Sequence, residues 1–190
     1  QMNPPPYSHM LGLICAFALA SCASPDAPDS TRASTSPTPD GNSASNQVFA
    51  SVNSYRVSQG KQPVQRHAGL DRLALLHSEY LQKNRGSFGL YGSDVSHMGF
   101  DGRSVIARQR YQMVGVSENV AAAKHPGKAV GHVMVQIWKR SHDHHKNMLD
   151  SWTHSGVGVV VDPDGTVFAT QIFSVMSSSH MTSQNRFKRH

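Results

Sequence analysis

GVGVVVDPDGTVFATQIFSV, residues 156–175, is the stretch whose reading decides the fold. It opens on glycine and valine alone, reaches Asp162-Pro163-Asp164-Gly165, and continues into a second run rich in β-branched and aromatic residues. Such side chains favour extended backbone. Asp-Pro-Asp-Gly is turn chemistry, because proline pre-sets φ and glycine takes the left-handed conformation without penalty. The pattern predicts an antiparallel hairpin of residues 156–161 and 166–175.

Upstream of the hairpin the apolar period is helical. Val48, Phe49, Val52 and Tyr55 share one face, and Gly60 followed by Pro63 ends that helix. A second helix is expected after Asp71, an N-cap residue type, with Leu73, Ala74, Leu76, Tyr80 and Leu81 on one broad side and His77 among them as a core histidine. Residues 86–102, rich in Gly, Ser and Asp, read as a loop carrying His97. A short helix over residues 103–110 and an extended segment over 113–122 follow. Pro126-Gly127 opens a further helix with the stripe Val130, Val133, Met134, Ile137 and Trp138. Helices interleaved with a few strands and closed by a hairpin make an α+β domain with helices packed on a sheet.

The chain ends read differently. Residues 10–20 (MLGLICAFALA) form an apolar run too short to span a bilayer but of the length of a signal-peptide core. Leu19-Ala20-Ser21-Cys22 resembles the bacterial lipobox, which implies cleavage before Cys22, lipidation of its thiol, and a tethered mature protein. Residues 23–45 hold Ser, Thr, Pro, Asp, Ala and Gly with almost nothing apolar, and read as a disordered linker. The expected organisation is therefore a signal peptide over 1–22, a linker over 23–45, a domain over 46–176 and a flexible basic tail over 177–190. Only Cys15 and Cys22 occur, so the domain contains no disulfide.

With 18 Lys and Arg against 12 Asp and Glu, the formal net charge is +6. That favours anionic lipids or cell-wall polymers. Nucleic acid is not an expected partner, since no compact basic patch is interleaved with aromatics, and the densest basic stretch, RFKR over 186–189, lies in a Ser-rich tail.

The ordered set Asn53-x-x-Arg56, Leu70-x-x-Leu73-Ala74, His77-Ser78, Ser96-His97, Asp101-Gly102-Arg103-Ser104, Glu118-Asn119, Trp138-x-x-Ser141-x-x-His144-x-x-Asn147-Met148-Leu149 and Gly156-Val157-Gly158-Val159 resembles the bacterial branch of the CAP superfamily, the SCP domain of cysteine-rich secretory, venom-antigen and pathogenesis-related proteins. The resemblance implies an α-β-α sandwich with a central antiparallel sheet and a surface cavity lined by two histidines and acids, in which some members bind a divalent metal. Carried over, the cavity groups are His97, His144 and Glu118. The second family acid is replaced by Ser141, the Gly before Glu-Asn by Ser117, and the Pro-Gly before the second histidine by His142-Asp143, of which Asp143 is the expected helix start.

Two imidazoles and a carboxylate can fill three positions around Zn²⁺ and leave the fourth for water. Without metal, the same histidine and glutamate can act as general acid and base. Separations of 21 and 26 residues make no local metal motif, so convergence rests on the fold. No cysteine reaches the domain as a nucleophile, and neither Ser96 nor Ser141 sits in a Gly-x-Ser-x-Gly elbow. A third reading has the trio hydrogen-bonding one another to hold the His97 loop against the His144 helix. The leading functional reading is an extracytoplasmic, lipid-anchored binding module for an envelope component, a host factor, a small apolar ligand or a divalent cation. The alternative is a metal-dependent hydrolase acting through His97, Glu118 and His144, and an inert envelope spacer is a third. The anchor is expected in the outer membrane where the host has one, with secretion as the alternative location. His142 and His145 are expected to be exposed neighbours of His144.

Overall fold

The computed structural model describes residues 40–89 and 95–177. The expected signal segment, Cys22, the linker up to residue 39 and the tail from residue 178 lie outside the described residues. The elements in chain order are α1 (Gly41–Ser58), β1 (Gln65–Arg66), α2 (Ala68–Lys83), α3 (Phe100–Tyr111), β2 (Met113–Lys124), a 3₁₀ turn (Gly127–Ala129), α4 (Val130–Arg140), α5 (His142–Leu149), β3 (His154–Val161) and β4 (Thr166–Met176). Among the described residues, no helix is long and apolar enough to cross a membrane.

The hairpin forms as its sequence requires. Gly165 turns with φ +77°, its amide donates to the Asp162 carbonyl, and β3 pairs antiparallel with β4 from Val161↔Val167 to His154↔Ser174. β2 pairs antiparallel on the other side of β4, and the two-residue β1 adds a parallel edge to β3, giving the order β1-β3-β4-β2.

Alternation along the strands separates two helical layers. Val157, Val159, Val167, Ala169 and Phe173 pack on one face with Val48 and Val52 of α1, Met134 and Trp138 of α4, and Met148 of α5. Ile172 and Met176 face Leu70, Leu73 and Ala74 of α2 and Ala107 of α3, and Val120 and Phe168 face Leu81. With both faces covered, the arrangement is the expected α-β-α sandwich. Side chains from the helices also cap the carbonyls of β2: Trp138 Nε1 donates to Val120 O at 3.0 Å and Asn147 Nδ2 to Glu118 O at 3.3 Å.

The Gly-Val-Gly-Val repeat of β3 has a specific use. Its valines enter the α1–α4 layer, while a Cβ on Gly156 would lie 2.2 Å from Asp71 N and one on Gly158 2.1 Å from Leu75 N. The α2 backbone therefore rests directly on the strand. Asp71 Oδ1 accepts from Val157 N at 2.8 Å, and Ser78 Oγ donates to Gly158 O at 2.9 Å. Asp71 is thus a contact between helix and strand rather than the N-cap, a role taken by His67, whose ring accepts from Leu70 N one turn earlier than expected.

Three further expectations are corrected. The first helix starts at Gly41, not near Asn46, because Asp40 accepts from Ser43 N at 2.7 Å and Ala44 and Ser45 are small enough to be buried against the sheet; the linker-like composition conceals a capped helix start. Leu76 and Tyr80 do not join the core face of α2 but project outward. Asp143 does not begin the helix of His144: Ser141, extended at ψ 124°, ends α4 and caps α5 by accepting from His144 N. The Asn53-x-x-Arg56 pair ties α1 to the segment entering β1 and to the end of α5. Asn53 exchanges two hydrogen bonds with the Val64 backbone, and buried Arg56 donates to the carbonyls of Gln62, Met148 and Asp150.

Gly158→Ala must push helix from strand and is expected to lower stability by about 3 kcal/mol. Gly102→Ala, within α3 where a Cβ meets nothing within 4 Å, is expected to leave stability unchanged or raise it by about 0.5–1 kcal/mol. Urea midpoints of the two variants check this, and equal midpoints would refute the close-approach account.

Candidate functional site

The docking of α2 on β3 through Ser78 fixes the preceding residue, His77, against the far side of the sheet from α1. Its Nε2 lies 2.9 Å from Ser96 O; a carbonyl only accepts, so this nitrogen carries the proton and Nδ1 is a buried acceptor without a hydrogen-bond partner. The contact holds the loop of His97, which α3 also grips: Arg103 Nη1 donates to Met98 O at 2.9 Å, and Phe100 N to His97 O at 3.0 Å.

Glu118 on β2 is the centre of the cluster, its side chain 1% exposed. Arg103 binds it with both arms, Nε to Oε2 at 2.7 Å and Nη2 to Oε1 at 2.8 Å. His97 Nδ1 reaches Oε1 at 3.0 Å, and His77 Nε2 stands 3.8 Å from the same oxygen without a hydrogen bond to it. Burial alone would raise the Glu118 pKa, but the hydrogen bonds from His97 and Arg103 and the Arg103 charge outweigh it, and the carboxyl is held below its usual range.

The fourth side comes from α5. His144 is buried and places its Nε2 3.4 Å from Nε2 of His97, whose side chain is 43% exposed and forms the opening to solvent. Asn119 Nδ2 donates to the His144 carbonyl at 2.9 Å, and Asn147 bonds Asn119 Oδ1 at 3.0 Å, so the Glu-Asn pair and the α5 motif brace each other. Burial first, then the His97 charge, depresses the His144 pKa; burial does the same for His77.

All three expected site residues thus converge, and Arg103 and His77 join them. Sequence reasoning placed Arg103 in a motif without assigning it a role, yet a buried carboxylate demands a cation, and that requirement was the available signal. Ser141 serves as a cap, and Ser96 Oγ accepts from Met98 N at 3.0 Å. His142 and Asp143 are exposed and bond each other. His145, expected to be exposed, is half-buried with Nε2 2.7 Å from the Tyr55 hydroxyl.

The donor set can be tested against a divalent cation. Two imidazole nitrogens each about 2.0–2.1 Å from a tetrahedral zinc stand roughly 3.4 Å apart, the spacing of His97 and His144. Both Glu118 oxygens are already engaged, so the carboxylate orients His97 from behind, as carboxylates do for metal-bound histidines. Among the described residues, no group of three or more His, Cys, Asp and Glu is arranged to hold an ion. The residues fit a cation held by two imidazoles and completed by other ligands.

The depressed pKa values set the acid stability. Folded His77, His144 and His154 stay neutral at a pH where the unfolded chain, titrating near about 6.5, is already protonated. The unfolded state then binds more protons, so stability is full above about pH 7 and falls as pH drops below about 6.5. Glu118 acts in the same direction lower down, its contribution disappearing as pH falls through its depressed folded value. His77→Gln, which keeps a donor for Ser96 O but cannot titrate, is expected to flatten the fall in Tm between pH 7 and 5; parallel curves would rule out this source.

Among solved structures, the chain is similar to an outer surface protein of Borrelia burgdorferi at 14% identity and TM-score 0.59, covering 74% of this chain and 98% of that one. It is similar to an SCP-domain extracellular protein of Bacillus anthracis at 26% identity and TM-score 0.52, over 71% of this chain and 41% of that one. A cysteine-rich secretory protein of Staphylococcus aureus aligns at 15% identity and TM-score 0.53, over 73% and 40%. This chain therefore spans well under half of the latter two. No curated protein matches it. Residues 49–173, from the middle of α1 into the last third of β4, match the cysteine-rich secretory protein (CAP) family, and the chain belongs to that family.

Proposed function

We propose that this protein is an extracytoplasmic binding module, tethered through lipid on Cys22, whose His97–His144 pair takes a divalent cation. The observation that carries the reading is the facing of the two Nε2 atoms at 3.4 Å, with one ring oriented by a buried, charge-compensated carboxylate. The lipobox-like Leu19-Ala20-Ser21-Cys22 supports the tether, and the surface and extracellular descriptions of two similar structures support the location.

Glu118 holds the Nδ1 proton of His97 and thereby leaves the Nε2 lone pair facing His144. Arg103 neutralises the carboxylate, so the pair adds no net charge to the interior. His144 lacks an equivalent support: its Nδ1 is buried without a partner, and moving the proton there to free Nε2 leaves an unsatisfied donor. The pair is therefore a weaker chelate than one with both rings anchored. A bound cation would supply positive charge and open positions for oxygen atoms of a ligand. Binding is favoured over hydrolysis by a metal-activated water because both oxygens of Glu118 are already engaged by His97 and Arg103, so this carboxylate is not free to take a proton from such a water.

Calorimetric titration with Zn²⁺ is expected to show one site per chain that His97→Ala and His144→Ala each abolish. Glu118→Gln is expected to weaken it on the order of tenfold. Wild-type affinity in His97→Ala would place the cation elsewhere, for instance near His142 and His145, and defeat the proposal. The tether has its own check: metabolic labelling of the producing bacterium with a radioactive fatty acid is expected to mark the wild-type protein and to leave Cys22→Ser unlabelled.

A further inference from the structure

The outer face of α2 and α3 is not used by the histidine cluster. Of the eight most exposed large apolar side chains among the described residues, six are here or on the loop entering α3: Leu75, Leu76, Tyr80, Met98, Val105 and Ile106. Leu76, Tyr80, Met98 and Ile106 line an open groove of about 320 Å³. Apolar surface gathered in this way marks an interaction face, and the charges around it select the partner.

Both signs are present, and on α3 they are ordered along the helix. Asp101 stands in the first turn and Arg108 in the last. Val105 lies four residues after the one and three before the other, so the three side chains share one side of the helix. All three are exposed, while Ser104 and Ala107 of the same helix are buried. Asp101 and Arg108 are separated by about 10 Å along the axis, too far to pair within one helix. Neither takes part in an ion pair among the described residues, and the same holds for Glu79 on α2 and Arg110 at the end of α3. A helix with an acid at its start and a base at its end is its own complement when a second copy lies antiparallel to it. A two-fold axis beside Val105 sets each Asp101 against Arg108 of the other copy and opposes the two helix dipoles. A parallel pair would set like charges side by side.

We propose that the α2–α3 face joins two copies of this chain through antiparallel α3 helices. Val105 of both copies meets at the axis, and Ile106 of each covers the groove between Leu76 and Met98 of the other, removing the apolar side chains from water. An anionic membrane or polyanion would be met by Arg108 and Arg110 but repelled by Asp101 and Glu79, whereas a second copy uses both signs. The contact does not depend on a cation at His97 and His144. The groove wall includes His77 and Arg103, so the dimer also shields the Glu118 cluster on that side.

The test is sedimentation velocity on the full chain carrying Cys22→Ser, so that no acyl chain contributes. A concentration-dependent dimer is expected, with a dissociation constant on the order of micromolar. Asp101→Arg and Arg108→Asp are each expected to weaken it at least about tenfold, because each creates two like-charged contacts across the axis. An equal mixture of these two variants restores every opposite-charge contact and is expected to recover the dimer as a heterodimer. Val105→Ser combined with Ile106→Ser, at exposed positions outside the histidine cluster, is expected to cost about tenfold. Circular dichroism melts check that each variant is folded, and recovery in the mixture separates the interface from any change within α3. The proposal is overturned by a wild type that stays monomeric, including one that co-sediments instead with phosphatidylglycerol vesicles and so assigns the face to a membrane. It is equally overturned by a dimer that ignores these substitutions, and so is held elsewhere in the chain, or by a mixture that fails to recover.

Discussion

The fold rests on a backbone-to-backbone approach: α2 lies on β3 where Gly156 and Gly158 present no side chain. Interiors pack at near-crystal density, so one missing Cβ at each position decides how close helix and strand can come. The closeness lets Asp71 reach Val157 N and Ser78 reach Gly158 O, contacts that set the rotation of α2 about its axis. Once that rotation is set, His77 must face Ser96 and Glu118, and Leu76 and Tyr80 must face outward. The cluster and the exposed apolar face are therefore two consequences of one packing event.

Within the cluster, the organising constraint is the charge on Glu118. A carboxylate this deeply buried persists only if it is compensated, and Arg103 does so with two arms while also holding the carbonyl of Met98. The loop of His97 is thereby closed around the carboxylate it serves. His144 arrives from the opposite helical layer, carried by α5, and the Asn119–Asn147 network sets its position through the backbone. The site thus joins the two layers at the β2 edge, where side chains of α4 and α5 cap strand carbonyls.

The hairpin, the helical stripe of α1, that of α4 except that Val135 rather than Val133 enters the core, and the trio His97, Glu118 and His144 were legible because each is written in local pattern or in an ordered motif. The start of α1 was not, because Asp40 to Ser45 has the composition of a linker; only the buried fit of Ala44 and Ser45 distinguishes it from one. The break at Ser141 was hidden by an apolar period that runs through it into Met148. His77 and Arg103 were visible as residues but not as members of the cluster, since His77 lies on the apolar side of α2 like any core residue and only the burial of Glu118 reveals the need for Arg103.

By itself the sequence determined the α+β class, the strand pairing around Asp162–Gly165, and the identity of three cluster side chains, because periodicity, turn chemistry and motif order are properties of neighbouring residues. Only the tertiary structure decided that Glu118 is held by Arg103 as well as His97, that the two imidazoles meet at Nε2, and which half of α2 faces water. These depend on how closely α2 settles on β3, a distance set by packing between residues some 80 positions apart.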